Sequence, residues 1–369
     1  MYKIFRTFVV EETVLFVLIV LFIFLTAFMP GYIPEYPVFI DWRTIITLLA
    51  LIITANGIKD SGYLENISGR ILLKIHDERT LAFFLVFLSV ILSTFLTNDI
   101  TLFITVPLTL CMQSILKKNL VKIVIFEALG VNAGSSLTPI GNPQNIFLWN
   151  KWGISFSGFM CRMAPVVLLM IAVLAVFIYF GFKANRLRID EDSVKPAINK
   201  NIGLLSISIM ALFLICLQFK MEIYAIPVIA LIYLIFHRKV FLELDWLLII
   251  TFVFMFVDFS MVSRIPFIRS VLSGIDLSNN TNVFILSALI SQIMSNVPAA
   301  IFMAKFTSNW KAITLGVDIA GNGIIIGSLA NIIALRLIKT KDKRIWLDFH
   351  GYSVPYFLLT GFVVWLFLR

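Results

Sequence analysis

Apolar residues in this chain run in long blocks, and the polar residues gather in short joins between them. The blocks cover 12–29, 43–58, 80–97, 99–116, 122–149, 159–181, 201–219, 222–236, 244–260, 281–307, 311–338 and 350–368. About 20 residues of helix cross a bilayer, and helices that are apolar all round lie in lipid or in a protein core. The pattern predicts an all-α polytopic membrane protein. The joins 59–79 and 261–280 are too polar to cross, and their spaced apolar residues suit helices lying along the interface. Four polar breaks fall inside apolar sequence: Ser93–Asp99, Gly134–Asn145, Ser291–Pro298 and Ala320–Asn331. They predict re-entrant hairpins over 80–116 and 281–307 and interrupted helices over 122–149 and 311–338.

The breaks belong to an internal repeat. Asp41-Trp42 opens DWRTIITLLALI, which matches DWLLIITFVFMF from Asp245-Trp246. Ser93-x-x-x-Thr97-Asn98 matches Ser291-x-x-x-Ser295-Asn296, and 129–145 lies over 315–331 without a gap. Three matches in one order, at offsets of 204, 198 and 186, mark a duplicated unit. The two copies are 41–181, with hairpin 80–116 and broken helix 122–149, and 245–369, with hairpin 281–307 and broken helix 311–338. Residues 1–40 add an N-terminal helix, and 182–244 join the copies through two more spans.

Composition fixes the solvent and charge fixes an orientation. Of 369 residues 60% are hydrophobic and 14% charged, against about 25% charged in soluble domains, so a water-soluble globular protein is excluded. The net charge is +9, from 30 basic and 21 acidic residues. With a cytoplasmic N-terminus and both hairpins returning to their own side, 21 of the 30 lysines and arginines fall in inner joins. That bias obeys the positive-inside rule, places the copies in opposite orientations and assigns the cluster Lys339–Arg344 to topology, with no nucleic-acid partner. MYKIFRTFVVEE leads into apolar sequence without a cleavage signal, which predicts a retained helix. Cys111, Cys161 and Cys216 form no CxxC pair, and His76, His237 and His350 sit at polar joins. No cofactor, disulfide framework, metal centre or enzyme active site is expected from them.

Inverted repeats with interrupted helices near the midplane mark secondary transporters. Irregular backbone at that depth is tolerated where it is buried in protein or lines a wet cavity. The hairpin tips offer Thr97, Asn98 and Asp99 in the first copy and Ser295 and Asn296 in the second, with Pro298 supporting a helix restart. The broken helices offer Ser135, Ser136, Thr138, Asn142, Gln144 and Asn145, and in the second copy Asn322, Ser328 and Asn331, with flexible glycines that include Gly321. Half-helix N-termini suit an anionic or polar ligand, and freed carbonyls suit a hard cation such as Na⁺. The alternative role for such residues is to glue membrane helices together. Asp99, Glu127, Asp258 and Asp318 are the ionisable groups within apolar sequence, and each is a functional candidate. Asp99 and Asp318 are the proton-coupling candidates, while Glu127 and Asp258 are expected near the interface.

FLTNDITLFITVPLTL (95–110), VNAGSSLTPIGNPQNI (131–146) and SQIMSNVPAAIF (291–302) resemble the ion transporter superfamily over nearly the whole chain. The nearest likeness is to its citrate-transporter-like and arsenite-permease-like branch, which is related to divalent anion:sodium symporters. The resemblance implies a homodimer of the bacterial inner membrane in which each protomer has a scaffold and a moving part that works as an elevator. It also implies sodium sites at Ser93, Thr97, Asn98 and Gly134 and at Ser291, Ser295, Asn296 and Gly321. Asp99 and Val297 stand where the dicarboxylate symporters carry threonine, which shifts the expectation towards proton coupling or a weakly charged substrate. The expected function is secondary active transport of a small anion or metalloid oxyanion, coupled to Na⁺ or H⁺. The alternatives are a cation/proton antiporter, with Asp99 and Asp318 as exchange carboxylates, and a passive anion channel.

Overall fold

The computed structural model describes residues 13–63, 66, 70, 71, 74–187, 199–218, 221–242, 244, 246–338 and 344–369. Residues 1–12, much of the 59–79 join and most of the Lys339–Arg344 cluster lie outside the described residues. Among those described the fold is helical, with no strand and one isolated bridge between Asp77 and Arg186.

Sixteen helices carry the description. They are α1 Thr13–Phe28, α2 Trp42–Asp60, α3 Glu78–Phe95, α4 Asn98–Leu116, α5 Val121–Ser135, α6 Pro143–Trp152, α7 Phe156–Gly181 and α8 Lys200–Gln218. They continue as α9 Glu222–Phe236, α10 Trp246–Val262, α11 Pro266–Ser273, α12 Asn280–Met294, α13 Asn296–Met303, α14 Trp310–Ala320, α15 Leu329–Ile338 and α16 Arg344–Leu368. Four of them, α3, α4, α7 and α16, are long and apolar enough to cross a membrane, and two bent pairs raise the count to six. Their outer faces are apolar too, with Ile91, Leu168, Phe180, Leu358 and Phe367 exposed. A surface of that kind is stable against lipid.

Two compact units share the chain. One takes Met1–Ile53 and Ala211–Asp276, and the other Thr54–Met210 and Leu277–Arg369. Each therefore draws on both halves of the sequence. In the first unit α1 packs on α10 around Leu25, Val257 and Met261. Arg264 there pairs with Glu35 at 2.8 Å and lies over the rings of Tyr32 and Phe39. The predicted interfacial join 261–280 holds the short helix α11, with Phe267 and Val271 exposed.

The second unit contains both hairpins and both interrupted helices. Its helix ends are set by local chemistry: Asp77, Ser155, Asn279 and Asn309 each accept a hydrogen bond from a backbone N–H in the first turn that follows. Packing inside the unit is reciprocal. The first hairpin arm α3 lies on α5, and its counterpart α12 lies on α14; the second arm α4 reaches α15 of the other copy, while α13 reaches α6. Small residues allow the close approach: a Cβ on Gly130 would meet the Val86 carbonyl oxygen at 3.1 Å, and one on the equivalent Gly316 would meet that of Phe284 at 2.6 Å.

The observed breaks are narrower than the sequence pattern suggests. Helix α5 continues through Gly134 and Ser135, and α6 already begins at Pro143, so Gln144 and Asn145 are helical. Pro143 sits at the first helical position, where its missing N–H costs nothing, and Asn142 caps that turn by accepting from the Asn145 N–H at 2.8 Å. In the second copy the irregular stretch runs from Gly321 to Ser328 and includes a 3-10 turn at Ile325–Gly327.

Candidate functional site

Each hairpin turns against a break. The Asn98 N–H donates to the Gly141 carbonyl at 2.8 Å, and the Ser291 hydroxyl donates to the carbonyl of Gly327, the residue equivalent to Gly141, at 3.3 Å. Beyond the first break α6 runs on for 10 residues, about 15 Å, so the tip ends well inside the length of the interrupted helix. Thr94 and Gln292, at equivalent places near the two tips, brace equivalent carbonyls: Thr94 Oγ1 donates to Gly134 O at 3.2 Å and Gln292 Nε2 to Ala320 O at 2.7 Å. Both asparagines also hold their own turns, since Asn98 Oδ1 accepts from Asp99 N and Asn296 Oδ1 from Val297 N, each at 2.9 Å.

The two interrupted helices are latched to each other. Asn132 on α5 donates to Gly321 O at 3.0 Å and to Asn331 Oδ1 at 2.9 Å, and accepts from Ser328 Oγ at 3.1 Å. Its counterpart on α14, Asp318, accepts at Oδ1 from Asn142 Nδ2 at 3.2 Å and from Gln144 Nε2 at 2.9 Å. Asn142 and Ser328 are themselves equivalent positions. Residue for residue, each copy's helix reaches into the break of the other.

The centre also holds buried polar atoms that these bonds leave over. Thr97 Oγ1, both Asp99 oxygens, Gln144 Oε1, Asn145 Oδ1, Asp318 Oδ2 and both polar atoms of Asn322 have no hydrogen-bond partner. Buried polar groups are nearly always satisfied by protein or water, so these atoms are free to meet water, an ion or a polar solute. The donor set is oxygen-rich and suits a hard cation.

Every polar side chain named as a site candidate is buried, including Ser93, Ser135, Ser136, Thr138, Ser295 and Asn296. Hydrogen bonds bring Asp318 together with Asn142 and Gln144, Asn296 with Ser328 at 3.4 Å, and Asn145 with Thr138 through its carbonyl at 3.4 Å. Side-chain bonds do not tie in Thr97, Asp99 or Asn322. Glu127 and Asp258, expected near the interface, are both 0% exposed: Glu127 is on α5, on which six helices of its unit pack, and Asp258 is on α10 in the other unit. His350, beside a polar join in the sequence, lies in the second turn of α16 and accepts at Nε2 from Ile325 N at 3.3 Å at the edge of the second break. Sequence reasoning passed over Gln292 and gave Asn132 no role; the latter was findable as a lone amide in LGVNAG at the register of Asp318.

The tips differ in backbone. Ser295 has φ 73° and ψ 160°, whereas Thr97 is extended at φ −72°. A side chain in that region costs about 1–3 kcal/mol. Ser295→Gly is therefore expected to keep or raise the melting temperature of the purified protein, while Ser295→Ala, which retains the Cβ, leaves the strain in place. A clear loss of stability in the glycine variant alone would contradict this.

The sequence profile of the citrate transporter family matches residues 7–319. Inner membrane protein YbiR of Escherichia coli is 36% identical over 350 residues, 94% of each chain. A protein of Methanocaldococcus jannaschii named as an uncharacterized transporter is 34% identical over 303 residues, 81% of each chain. A 46 kDa membrane protein of Mycobacterium leprae is 21% identical over 347 residues, 83% of this chain and 80% of its own.

Proposed function

The chain belongs to the citrate transporter family, and we propose that within it this membrane transporter carries a small anion or metalloid oxyanion by secondary active transport, driven by Na⁺ or H⁺. The observation that carries the reading is the pair of crossed latches, Asn132 into the second break and Asp318 into the first. Two equivalent structures that hold each other through equivalent residues have two near-equal packings with roles exchanged, which is what alternating access requires.

Solute binds between the hairpin tips and the breaks, at Thr97, Asn98, Ser135, Ser136, Thr138, Asn142, Gln144 and Asn145 from the first copy and Ser295, Asn296 and Asn322 from the second. Coupling Na⁺ is held by Ser93, Thr97, Asn98 and the carbonyl of Gly134, and by Ser291, Ser295, Asn296 and the carbonyl of Gly321. The leftover oxygens of Thr97 and Asn145 supply free acceptors there, and the N–H-rich helix starts at Asn98 and Asn296 favour an anion. The two copies are inverted in the membrane. The compact units, each drawn from both halves, supply a scaffold and a moving part for an elevator in a homodimer of the inner membrane, with a cytoplasmic N-terminus.

A panel of citrate, other carboxylates, arsenite, phosphate, Na⁺ and Li⁺ against the purified protein tests the site, since a ligand stabilises the state it binds. The expected result is a rise in melting temperature with one anion, enhanced by Na⁺ or by acid, and lost in Asn98→Ala and Asn296→Ala. Equal stabilisation of both variants by the same anion would remove the site from between the tips. Asp99 carries two unpartnered buried oxygens, and an unpaired carboxylate at this depth needs a proton or a cation. Asp99→Asn is expected to abolish the pH dependence of uptake with folding intact; an unchanged pH profile would remove Asp99 from coupling.

A further inference from the structure

Two buried acids stand outside the site, Asp258 in the other unit and Glu127 in the same unit as the site. Glu127 lies in the second turn of α5 and is 0% exposed. Its Oε1 accepts from Thr109 Oγ1 on α4 at 2.8 Å, and its Oε2 has no partner. Thr109 ends a stripe at every fourth residue, from the N-cap Thr97 through Thr101 and Thr105, in which each member neighbours the next along α4 and all are buried. From Thr97 at the hairpin tip to Thr109 the stripe climbs about 18 Å.

A threonine inside a helix ordinarily donates back to the carbonyl four residues earlier. Thr101 does so, to Thr97 O at 3.1 Å. Thr109 turns instead to Glu127, and the Thr105 hydroxyl between them has no partner, nor does Thr97 Oγ1. The two unsatisfied hydroxyls, at Thr105 and at the tip, are groups that ordered water would satisfy. The repeat itself does not require them: the second copy has Ala299, Met303 and Thr307 at the places of Thr101, Thr105 and Thr109, and Ile313 at that of Glu127. The second copy thus keeps one threonine of the three, beyond the end of its shorter arm α13, and has apolar residues at the other two places and at that of the acid.

No countercharge accounts for Glu127. On its own helix Lys122 donates to Gly181 O and lies against the rings of Phe182 and Tyr352. Of the groups on helices packed around α5, Glu78 pairs with Lys118, Arg79 donates to Phe182 O, Arg162 lies over Trp310, Asp318 is held by Asn142 and Gln144, and Tyr356 donates to Met170 O. His350 is taken up by Trp346 and Ile325. Asp99, Cys111, Cys161, Lys311, Arg336, Arg344, Asp348 and Tyr179 complete the set, and none of them bonds to Glu127.

We propose that Glu127 is a proton-binding carboxyl, served by a file of water along the threonine stripe of α4 that links it to the hairpin tip. Oε2 takes a proton from the water beside Thr105, that water is replenished by the next along the stripe, and release runs the same way back. The acid is then loaded from the solute site rather than through the lipid-facing wall. Its use in transport rests on the carrier reading above and would make H⁺ one coupling ion.

Infrared spectroscopy of the full chain in lipid nanodiscs tests the file without any substrate, so failure to find a transported solute and failure of the file remain distinct. The wild type is expected to show a protonated-carboxyl C=O band that is missing in Glu127→Gln and shifts within the mixing time on transfer to D₂O. Thr109→Val, which removes the bond to Oε1, is expected to move that band without deleting it, which assigns it even where Glu127→Gln folds poorly. Thr105→Val should slow the deuterium shift at least tenfold with melting unchanged, whereas a purely structural hydroxyl would leave exchange unaltered. The proposal is overturned if Glu127 shows only an ionised carboxylate at every pH, if its band does not exchange, or if Thr105→Val exchanges as fast as wild type.

Discussion

Asn132→Asp is expected to destabilise the protein far more than Asp318→Asn, although the two positions are equivalent in the repeat. Asn132 donates to two oxygens, Gly321 O and Asn331 Oδ1, so a carboxylate there would face acceptors with nothing to donate. Asp318 only accepts, from Asn142 and Gln144, and an amide oxygen can do the same. Gly321 O keeps its bond from Asn331 Nδ2, so Asn132→Asp strands Asn331 Oδ1 against a new buried charge and Asn132→Ala strands Asn331 Oδ1 and the Ser328 hydroxyl. Each stranded group costs about 1–3 kcal/mol and more beside a charge, which gives about 2 kcal/mol or more for either change and about 1 kcal/mol or less for Asp318→Asn. Heating detergent-solubilised protein and recording the surviving monodisperse peak measures the difference. Equal losses from the two swaps would mean that the crossed latches do not hold the breaks together.

Gly134→Ala is expected to prevent folding. A Cβ at this position would stand 2.2 Å from the Val90 carbonyl oxygen and 2.4 Å from Ser93 Oγ. The serine can rotate, but the carbonyl belongs to the backbone of α3, so α3 and α5 would have to part. Parting them also strains the Thr94 bond to Gly134 O and the tip contact at Gly141. Overpacking a core costs about 1–3 kcal/mol when side chains can adjust, and rigid backbone on one side puts this case above that range. Gly351→Ala is the control, because its Cβ would meet nothing within 4 Å and alanine stabilises a helix by about 0.5–1 kcal/mol over glycine. A well-folded Gly134→Ala protein would show that the two helices are not as close as described.

Much of the fold was legible because lipid imposes a simple code. The apolar blocks at 80–97, 99–116 and 159–181 predicted α3, α4 and α7 to within a few residues, since backbone in hydrocarbon must satisfy itself. The four breaks were legible as glycine, proline and amides in apolar surroundings. Their edges were not: Gly134, Ser135, Gln144 and Asn145 stayed helical, because capping by Asn142 and the ring of Pro143 confine the irregular backbone to a few residues. Partners across the repeat were beyond reach as well. Nothing local tells that Asn132 belongs to Ser328, or Asp318 to Gln144, until the two copies are packed together. The burial of Glu127 was beyond reach for a related reason: five residues from Lys122 in sequence it reads as a helix-end charge, whereas six neighbouring helices pack on α5 in the folded unit.

The central claim is that the crossed breaks form the binding centre of a carrier. Counterflow in proteoliposomes tests it most directly: vesicles loaded with an unlabelled anion from the stabilising panel are diluted into the labelled anion, with Na⁺ and pH gradients applied in turn. The account predicts uptake stimulated by the trans anion, dependent on one of the two gradients, and abolished in Asn98→Ala and Asn296→Ala protein that still folds. Uptake that is indifferent to the trans anion and follows membrane voltage alone would describe a channel and contradict it.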